Sequence, residues 1–498
     1  MEKKLQTIAA RFDLVDEIAE IRLLETGNVN DTYLVTLQDG GRRILQRLNA
    51  RVFRHPEQVM ANLRVVHDHL HRQLGREQGG RWDVPEIHVC PDGSDYVLDD
   101  EDGFWRLLGY IEGARTYDNV QDSRHAQEAG RALGLFHRLL SRLAPERLND
   151  VLPGFHVTPT YLAAYDGIGE GCRPQTEDSH WCRQFIESHR DLAPVLEEAC
   201  ARGELQVQPI HGDPKVNNIM ICEETGRAVA LIDLDTVKPG LIQYDLGDCL
   251  RSCCNPEGEE AVDPGSVHFD LDFCRAILTG YLDEAKAFLT EADLRYIFAA
   301  ARLMAFELGL RFFADWLTGD HYFKTADEEH NLRRALIQFR LTADIERQEA
   351  EINSLLACAT CCGEPSTELP SRKERNGPNV GMNYGARPAL NSFSARRRAR
   401  ATTRSTCRRQ AIGTSMPSTT TDKTCGRKGQ WARWPSPWLG KRNPWRLSLS
   451  CRSHHSTHRR PPSGSGWLPY SLIRQARSPS GPWPMRGIDP ISTGGRTS

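Results

Sequence analysis

The chain has 498 residues, 39% hydrophobic and 26% charged, enough for roughly two to four domains. Its net charge of −3 averages two unlike parts, because residues 365–498 carry 25 Lys and Arg against 4 Asp and Glu, a net of +21, which leaves −24 on residues 1–364. The charged start MEKKLQTIAARFDLVDE lacks the apolar core of a secretory leader, and no run reaches the ~20 apolar residues of a bilayer span, so a cytoplasmic protein without a membrane partner is expected.

Residues 1–113 read as strand-rich with one helix. NVNDTYLVTL and RRILQRL are strands split by the turn QDGG. His55–Leu74 is a helix with Pro56 in its first turn and Val59, Leu63, Val66 and Leu70 on one face. SDYVLDD and FWRLLGYIEG read as a second hairpin. Residues 114–357 read as mainly helical. One helix carries Ala129, Leu133, Phe136 and Leu140 on a single stripe, and long helices are expected over Asp293–Leu317 and His330–Ile352.

Residues 358–498 read as a disordered basic tail. Arg, Ser, Pro and Trp dominate it, without periodicity or apolar runs, so it cannot bury enough surface to offset chain entropy. Its six Trp and many Arg would suit a nucleic-acid arm, but a GC-rich gene read out of frame gives the same composition. The non-functional tail is the preferred reading, and no specific nucleic-acid partner is expected. The 15 cysteines are scattered. The one CxxC within Cys358–Cys362 has no matching second pair, so plain thiols in a reducing compartment are expected.

The chemistry concentrates in IHGDPKVNNIM, Ile210–Met220, and LIDLDTVKPG, which begins at Leu231. VQPIHGD reads as a strand ending at a sharp loop, and NIMICEETGRAVALIDLD as a hairpin. The loop and the end of the second hairpin strand then lie side by side and bring Asp213, Lys215, Asn218 and Asp233 together. The spacing His-x-Asp-x-Lys-x-x-Asn is similar to the catalytic loop of protein kinases. On that template Asp213 accepts the proton of an attacking hydroxyl, and Asn218 and Asp233 hold magnesium. Lys215 neutralises charge on the transferring group, and His211 only holds the loop. Taken singly, these are ordinary turn residues; the joint pattern carries the reading.

Upstream, Gly27, Asn28 and Asn30 in ETGNVNDTYLV form a poor glycine-rich loop whose backbone amides would cover phosphate. Arg47 stands where the template has a strand lysine for the phosphates, and a solvated strand arginine is its bland alternative. Glu57 is a candidate partner for Arg47, although a helix-start acid is the simpler reading. Tyr110, Ile111 and Glu112 in GYIEG read as a hinge against which a nucleotide base would lie. Arg311, in a run of aromatics, has Glu307 one turn earlier as a structural partner; beside Phe312, Phe313 and Trp316 it would also suit hydroxyl and acetamide recognition. Asp245 and Asp248 read as braces for the catalytic loop.

GNVNDTYLV, RRILQRLNARVF, HPEQVMANL, IHGDPKVNNIM, LIDLDTVKPG, YDLGDCLRSCCN and the Phe306–Lys324 segment together resemble the aminoglycoside phosphotransferase superfamily. Within it they look most like the N-acetylhexosamine 1-kinases, over about Leu23 to Leu341. The resemblance implies an α+β, bilobal protein-kinase-like fold with a small antiparallel-sheet N-lobe and a helical C-lobe. It implies ATP and Mg2+ as cofactors, and phosphorylation of an N-acetylhexosamine at its anomeric hydroxyl. Carried over by position, Asp213 is the base, Asn218 and Asp233 are metal ligands, and Arg311 and Tyr322 hold the sugar. Two departures stand out: Arg47 where lysine is often found, and Leu234 where an aromatic would stack on a sugar ring. Another alcohol (homoserine, choline or an aminoglycoside) and a silent binding module remain open, although the intact Asp213, Asn218 and Asp233 speak against silence. The oligomeric state is left open.

Ending the chain near Leu356 is expected to preserve fold and activity, because the tail buries little apolar surface. Limited proteolysis of the full chain should cut quickly after residue 360 and leave a resistant core of unchanged melting temperature. A protease-resistant tail, or a truncation that unfolds the core, would show the tail to be folded.

Overall fold

Alternating apolar residues need a covered face, and the first part of the chain provides one as an antiparallel sheet. The computed structural model describes residues 2–14, 17–24, 29–76, 80–169 and 171–361. Helix α1 (Glu2–Ala9) precedes β1 (Ile18–Leu24), β2 (Asp31–Leu37) and β3 (Arg42–Leu48). Then come α2 (Pro56–Leu74), β4 (Ile87–His88), β5 (Val97–Leu98) and β6 (Phe104–Gly109). The strand order is β1-β2-β3-β6-β4, with β5 also on β6, and every pair is antiparallel. Both expected hairpins are present. The QDGG turn uses Gly40 at φ 88°, and the Gly41 N–H donates to Asp39 Oδ1 at 2.7 Å.

The outer sheet face, with Val35, Leu37, Leu45, Trp105 and Leu107, is covered by Leu5, Ile8 and Phe12. These residues bring α1 onto the sheet, a second helix where one was expected. Its eight residues are too few to hold a helix alone, so packing decides its state. The inner face contributes Leu48 and Phe104 to a core shared with α2 and the helical lobe. Glu57 pairs with His55 at 3.1 Å, both exposed, and remains a helix-start acid.

The helical lobe starts with β7 (Ala114–Arg115), α3 (Ser123–Leu140), α4 (Thr158–Asp166), α5 (Glu177–Ser188) and α6 (Val195–Ala201). The strands β8 (Gln208–Ile210), β9 (Ile219–Cys222), β10 (Ala228–Leu231) and β11 (Lys238–Gly240) follow. It finishes with α7 (Ile242–Cys253), α8 (Leu271–Ala285), α9 (Glu291–Arg295), α10 (Ile297–Thr318), α11 (His330–Arg347) and α12 (Glu349–Cys361). Strands β7, β9 and β10 form one small sheet, and β8 pairs with β11. The two long helices expected near the end are each broken. A Thr290–Asp293 capping box starts the short α9, and α10 begins anew after Tyr296. Gln348 interrupts the other, its side-chain amide donating to Phe269 O at 2.8 Å and Asp344 Oδ2 at 3.1 Å. Tertiary hydrogen bonds of this kind leave no trace in helical periodicity.

The expectations for Gly27, Asn28 and Cys362, and for the tail beyond it, lie outside the described residues, as do those for the side chains of Cys358 and Cys361. Among the described residues no helix is long and apolar enough to cross a membrane.

Helices α3 and α8 cross at backbone distance. A Cβ on Gly280 would lie 2.0 Å from Gln127 O, and one on Gly130 would lie 2.0 Å from Ile277 O. Gly280→Ala should therefore cost about 1–3 kcal/mol through overpacking, partly offset by about 1 kcal/mol of helix propensity. Gly75→Ala, with helical φ and an ordinary 3.4 Å contact to His71 O, should be neutral or mildly stabilising. Urea midpoints of the two variants check this; equal midpoints would mean the crossing can relax.

Candidate active site

The catalytic-loop segment lies between β8 and β9, held from behind by a buried carboxylate. Asp245, on α7, accepts the backbone N–H of His211 (2.6 Å) and Gly212 (2.8 Å), and His137 Nε2 lies 2.9 Å from the same carboxylate. His211 Nε2 is 3.0 Å from Ile232 O, and its Nδ1 accepts the Asp213 N–H at 3.2 Å. Burial pushes this imidazole down in pKa, so it is a neutral strut between the loop and the end of β10. Gly212 has φ 87°, and a Cβ there would meet Thr236 O at 2.7 Å, so only glycine fits. Asp248 does not brace the loop directly; it pairs with Arg251 at 2.8 Å, three residues on along α7.

Asp213, Lys215, Asn218 and Asp233 come together in front of this scaffold. Lys215 Nζ lies 2.9 Å from Asp213 Oδ2. Burial opposes the lysine's charge, but Asp213 outweighs it and raises the pKa above the ordinary lysine range. Asn218, in the 3-10 turn Val216–Asn218, donates from Nδ2 to Asp213 O at 2.8 Å and Oδ2 at 3.3 Å, which leaves Oδ1 to face a cation. Asp233 has φ 63°, a left-handed conformation that Asp tolerates better than most residues. Its side chain opens on the cleft, yet dense protein surrounds it. Burial first, then the charges of Asp235 and Asp213, push its carboxyl up to about 7. Leu234, between the two aspartates, is buried in the main core and does not face the cleft, so an aromatic there would not meet a sugar.

An excess of acid at Asp233 with hard oxygen donors suits Mg2+. Among the described residues no three His, Cys, Asp or Glu side chains converge as an all-protein cage requires. Two donors, Asp233 and Asn218, nevertheless fit an ion that takes its other ligands from water and phosphate.

The N-lobe residues are placed less as expected. Asn30 donates from Nδ2 to Asp235 Oδ2 at 2.7 Å, and its Oδ1 accepts the Asn49 N–H at 3.0 Å. Arg47 does not reach the cleft. It pairs across the ladder with Trp105, its guanidinium 6.0 Å from that ring on the outer face, because strand side chains alternate and Gln46 takes the inner position. Opposite Gln46 stands Arg106, fully buried and unmarked by the sequence reading, with Nη2 2.5 Å from Asp235 Oδ1. At the hinge, Tyr110 lies under the Arg42 guanidinium at 4.1 Å, and Glu112 accepts from Arg42 Nε at 2.9 Å. Ile111 is buried with Met220, Val229 and Ala230, an apolar patch with Ile232 packed against it.

Arg311 lies near the other side of the loop. Its guanidinium sits 5.2 Å from the Phe155 ring, 5.1 Å from Tyr161 and 5.6 Å from Phe323. The expected neighbours Phe312, Phe313 and Trp316 face elsewhere, since positions i+1, i+2 and i+5 leave the stripe of a helix. Glu307 is 3.9 Å from Arg311 but is held more closely by His156 (3.0 Å) and Thr158 (2.7 Å). His156 in turn bonds Gly212 O at 2.8 Å, so this cluster touches the catalytic loop. Burial opposes the charge on His156, and Glu307 raises its pKa nonetheless. Tyr322 is 51% exposed beside Phe323, and its charge interaction with Arg311 places it near the same spot. The Gly154–Tyr161 segment carried no recognisable spacing; only the position of His156 and Tyr161 in the fold reveals them.

A sequence model of the phosphotransferase enzyme family APH matches residues 20–282. Among solved structures, a microcompartment-associated aminopropanol kinase aligns with a TM-score of 0.51 at 18% identity, covering 70% of this chain and 98% of its own. An aminoglycoside phosphotransferase from Alicyclobacillus acidocaldarius aligns with a TM-score of 0.47 at 16% identity, covering 70% of this chain and 96% of its own. An amicoumacin kinase in complex with AMP-PNP, Ca2+ and Ami gives 0.47 at 17% identity, covering 68% and 93%. At 18% identity the likeness to the aminopropanol kinase is one of fold.

Cation binding at Asp233 must displace a proton below pH about 7, so affinity should fall as pH falls, by at most about tenfold per unit. Without a cation the raised carboxyl acts oppositely on stability: the fold favours its protonated form, so stability declines as pH rises from 3.8 to about 7. Mn2+ titrations followed by electron paramagnetic resonance at pH 6 and pH 8 check the first effect. Equal affinities at both values, or an Asp233→Asn variant that binds as well as wild type, would remove Asp233 from the ligand set.

Proposed function

The chain belongs to the APH phosphotransferase family, and from that premise we propose that it transfers the γ-phosphoryl group of ATP to a sugar, at the anomeric hydroxyl of an N-acetylhexosamine. It is a kinase-like phosphotransferase with a small-molecule alcohol as acceptor. The reading rests above all on the convergence of Asp213, Lys215, Asn218 and Asp233 at one end of the β9–β10 hairpin.

Asp213 is the base for the acceptor hydroxyl. Lys215 Nζ, 2.9 Å from Asp213 Oδ2, sets a fixed positive charge where the phosphoryl group would pass. Asn218 restrains the Asp213 carboxylate and, with Asp233, would hold Mg2+. Bound there, the ion would neutralise charge on the nucleotide phosphates. The hinge at Tyr110, Ile111 and Glu112, with the apolar patch of Ile111 and Met220 beside it, suits an adenine ring. Asn30 belongs to the loop that would cover the phosphates.

The acceptor side favours a neutral substrate. Arg311 already occupies the aromatic surroundings of Phe155, Tyr161 and Phe323 that a cationic acceptor would need. The nearby acids are committed, Glu307 to His156 and Thr158, and Asp248 to Arg251. A guanidinium flanked by rings and an exposed tyrosine can donate to ring hydroxyls or an acetamide.

Nucleotide consumption measured across N-acetylhexosamines, aminoglycosides, choline and homoserine tests this directly. An N-acetylhexosamine should be turned over, and Asp213→Asn should bind nucleotide while losing about 10²–10⁴-fold in kcat. Turnover confined to cationic alcohols would overturn the sugar assignment. An Asp213→Asn enzyme near wild-type rate would overturn Asp213 as base.

A further inference from the structure

We infer that Arg106, on β6, is the cation that the N-terminal lobe sets against the nucleotide phosphates, in place of a lysine on β3. The inference rests on the nucleotide-using reading above. On the inner sheet face the central β3 position belongs to Gln46, which is neutral, and its cross-strand partner is Arg106. The other β3 arginines are otherwise engaged. Arg47 faces outward at Trp105, and Arg42 is drawn to the hinge by Glu112 and Tyr110. The Arg43 Nη1 group turns to the Arg42 carbonyl.

Arg106 is built into its place. Gln46 Oε1 accepts from both Nε (3.0 Å) and Nη2 (2.7 Å), and Gln46 is itself held through Nε2 to Thr32 Oγ1 at 3.1 Å. The guanidinium is 1% exposed and its ion-pair partner Asp235 2%, so the charges meet away from bulk water. The pair is nevertheless incomplete. Their 2.5 Å contact is not an aligned hydrogen bond, and Nη1 of Arg106 and Oδ1 of Asp235 each lack a hydrogen-bond partner. An unpartnered donor in a dry site gains most from an anionic oxygen.

Position ties the group to the reaction. Asp235 is two residues beyond Asp233, in the turn Leu234–Thr236 that follows β10. Asn30, from the β1–β2 connection, bonds the other Asp235 oxygen at 2.7 Å. Sheet, phosphate-side connection and metal-side turn therefore meet at one buried ion pair. In this arrangement Asp235 is the resting partner of a guanidinium whose remaining donors are left for phosphate. Arginine, charged at any working pH and with five donors, suits such a buried site better than lysine.

A purely structural clamp would have the same contacts, so the test must separate phosphate recognition from folding. Adenosine and ADP are titrated calorimetrically, without divalent cations, into wild type, Arg106→Gln and the double variant Arg106→Gln/Asp235→Asn. The double variant removes both buried charges, so no unpaired Asp235 is left to unfold the protein. Both variants should bind ADP about 10- to 100-fold more weakly, as expected for loss of a charge-assisted hydrogen bond, with adenosine affinity unchanged. A folded double variant that binds ADP as tightly as wild type would overturn the inference. So would parallel losses of ADP and adenosine affinity, which mark a structural clamp. Wild-type protein that binds neither ligand would overturn the nucleotide reading itself, and this inference with it.

Discussion

Asp245 sits at 0% exposure under the active-site loop, and its two oxygens take two successive backbone N–H groups. A buried carboxylate is tolerable only when donors surround it, and here the donors are the loop's own amides plus His137. Satisfying the charge and fixing the loop are thus one event. Once the peptides at His211 and Gly212 are set, the His211 ring can reach both Ile232 O and the Asp213 N–H, which registers the loop against the end of β10. A second carboxylate completes the clamp from another helix: Glu307 on α10 orients His156, and His156 takes the carbonyl of Gly212. Gly212, the residue preceding Asp213, is therefore held at its N–H by Asp245 of α7 and at its C=O by His156, which Glu307 of α10 orients.

The same device recurs elsewhere. Asp315 accepts the N–H groups of His321, Tyr322 and Phe323 at 3.0, 2.8 and 2.9 Å, and also takes an Asn331 N–H at 3.0 Å. Tyr322 projects from a loop whose backbone is thereby ordered. Asp235 plays the corresponding part between the lobes, joining Arg106 and Asn30. Asp245 and Asp315 thus organise backbone and Asp235 joins two side chains, whereas Asp233, open to the cleft, faces like charges.

Much of the site could be read from the chain because it is local. Asp213, Lys215 and Asn218 lie within six residues, and the β9–β10 hairpin that returns Asp233 to them needs only a short turn. Strands β2, β3, β5 and β6 showed in residue type and turn signals and helices α2 and α3 in periodicity, whereas β1 and β4 went unread. What stayed hidden depends on long-range placement. Arg47 and Arg106 are both arginines in strands, and which one faces the cleft depends on a pleat parity that composition does not reveal. His156 lies in a segment with no motif, and it matters only because the fold carries it to Gly212. The neighbours of Arg311 come from residues 155, 161 and 323, so a reading confined to its own helix chose the wrong rings. At the break, the Gln348 side chain is likewise engaged from outside the helix, by the Phe269 carbonyl.

One core crosses the boundary that the two lobes suggest. Leu48 and Phe104 of the sheet, Val59, Leu63 and Val66 of α2, and Leu133, Phe136 and Leu246 of the helical lobe belong to a single apolar cluster that extends to Ile352 and Leu356 on α12. Asn62 of α2 adds two bonds across it, to Asn149 O at 2.8 Å and Val237 O at 2.9 Å. Neither part can shed the other without exposing that shared interior. The protein should therefore melt in one cooperative transition, with its calorimetric and van't Hoff enthalpies in agreement, and neither lobe should refold when made alone.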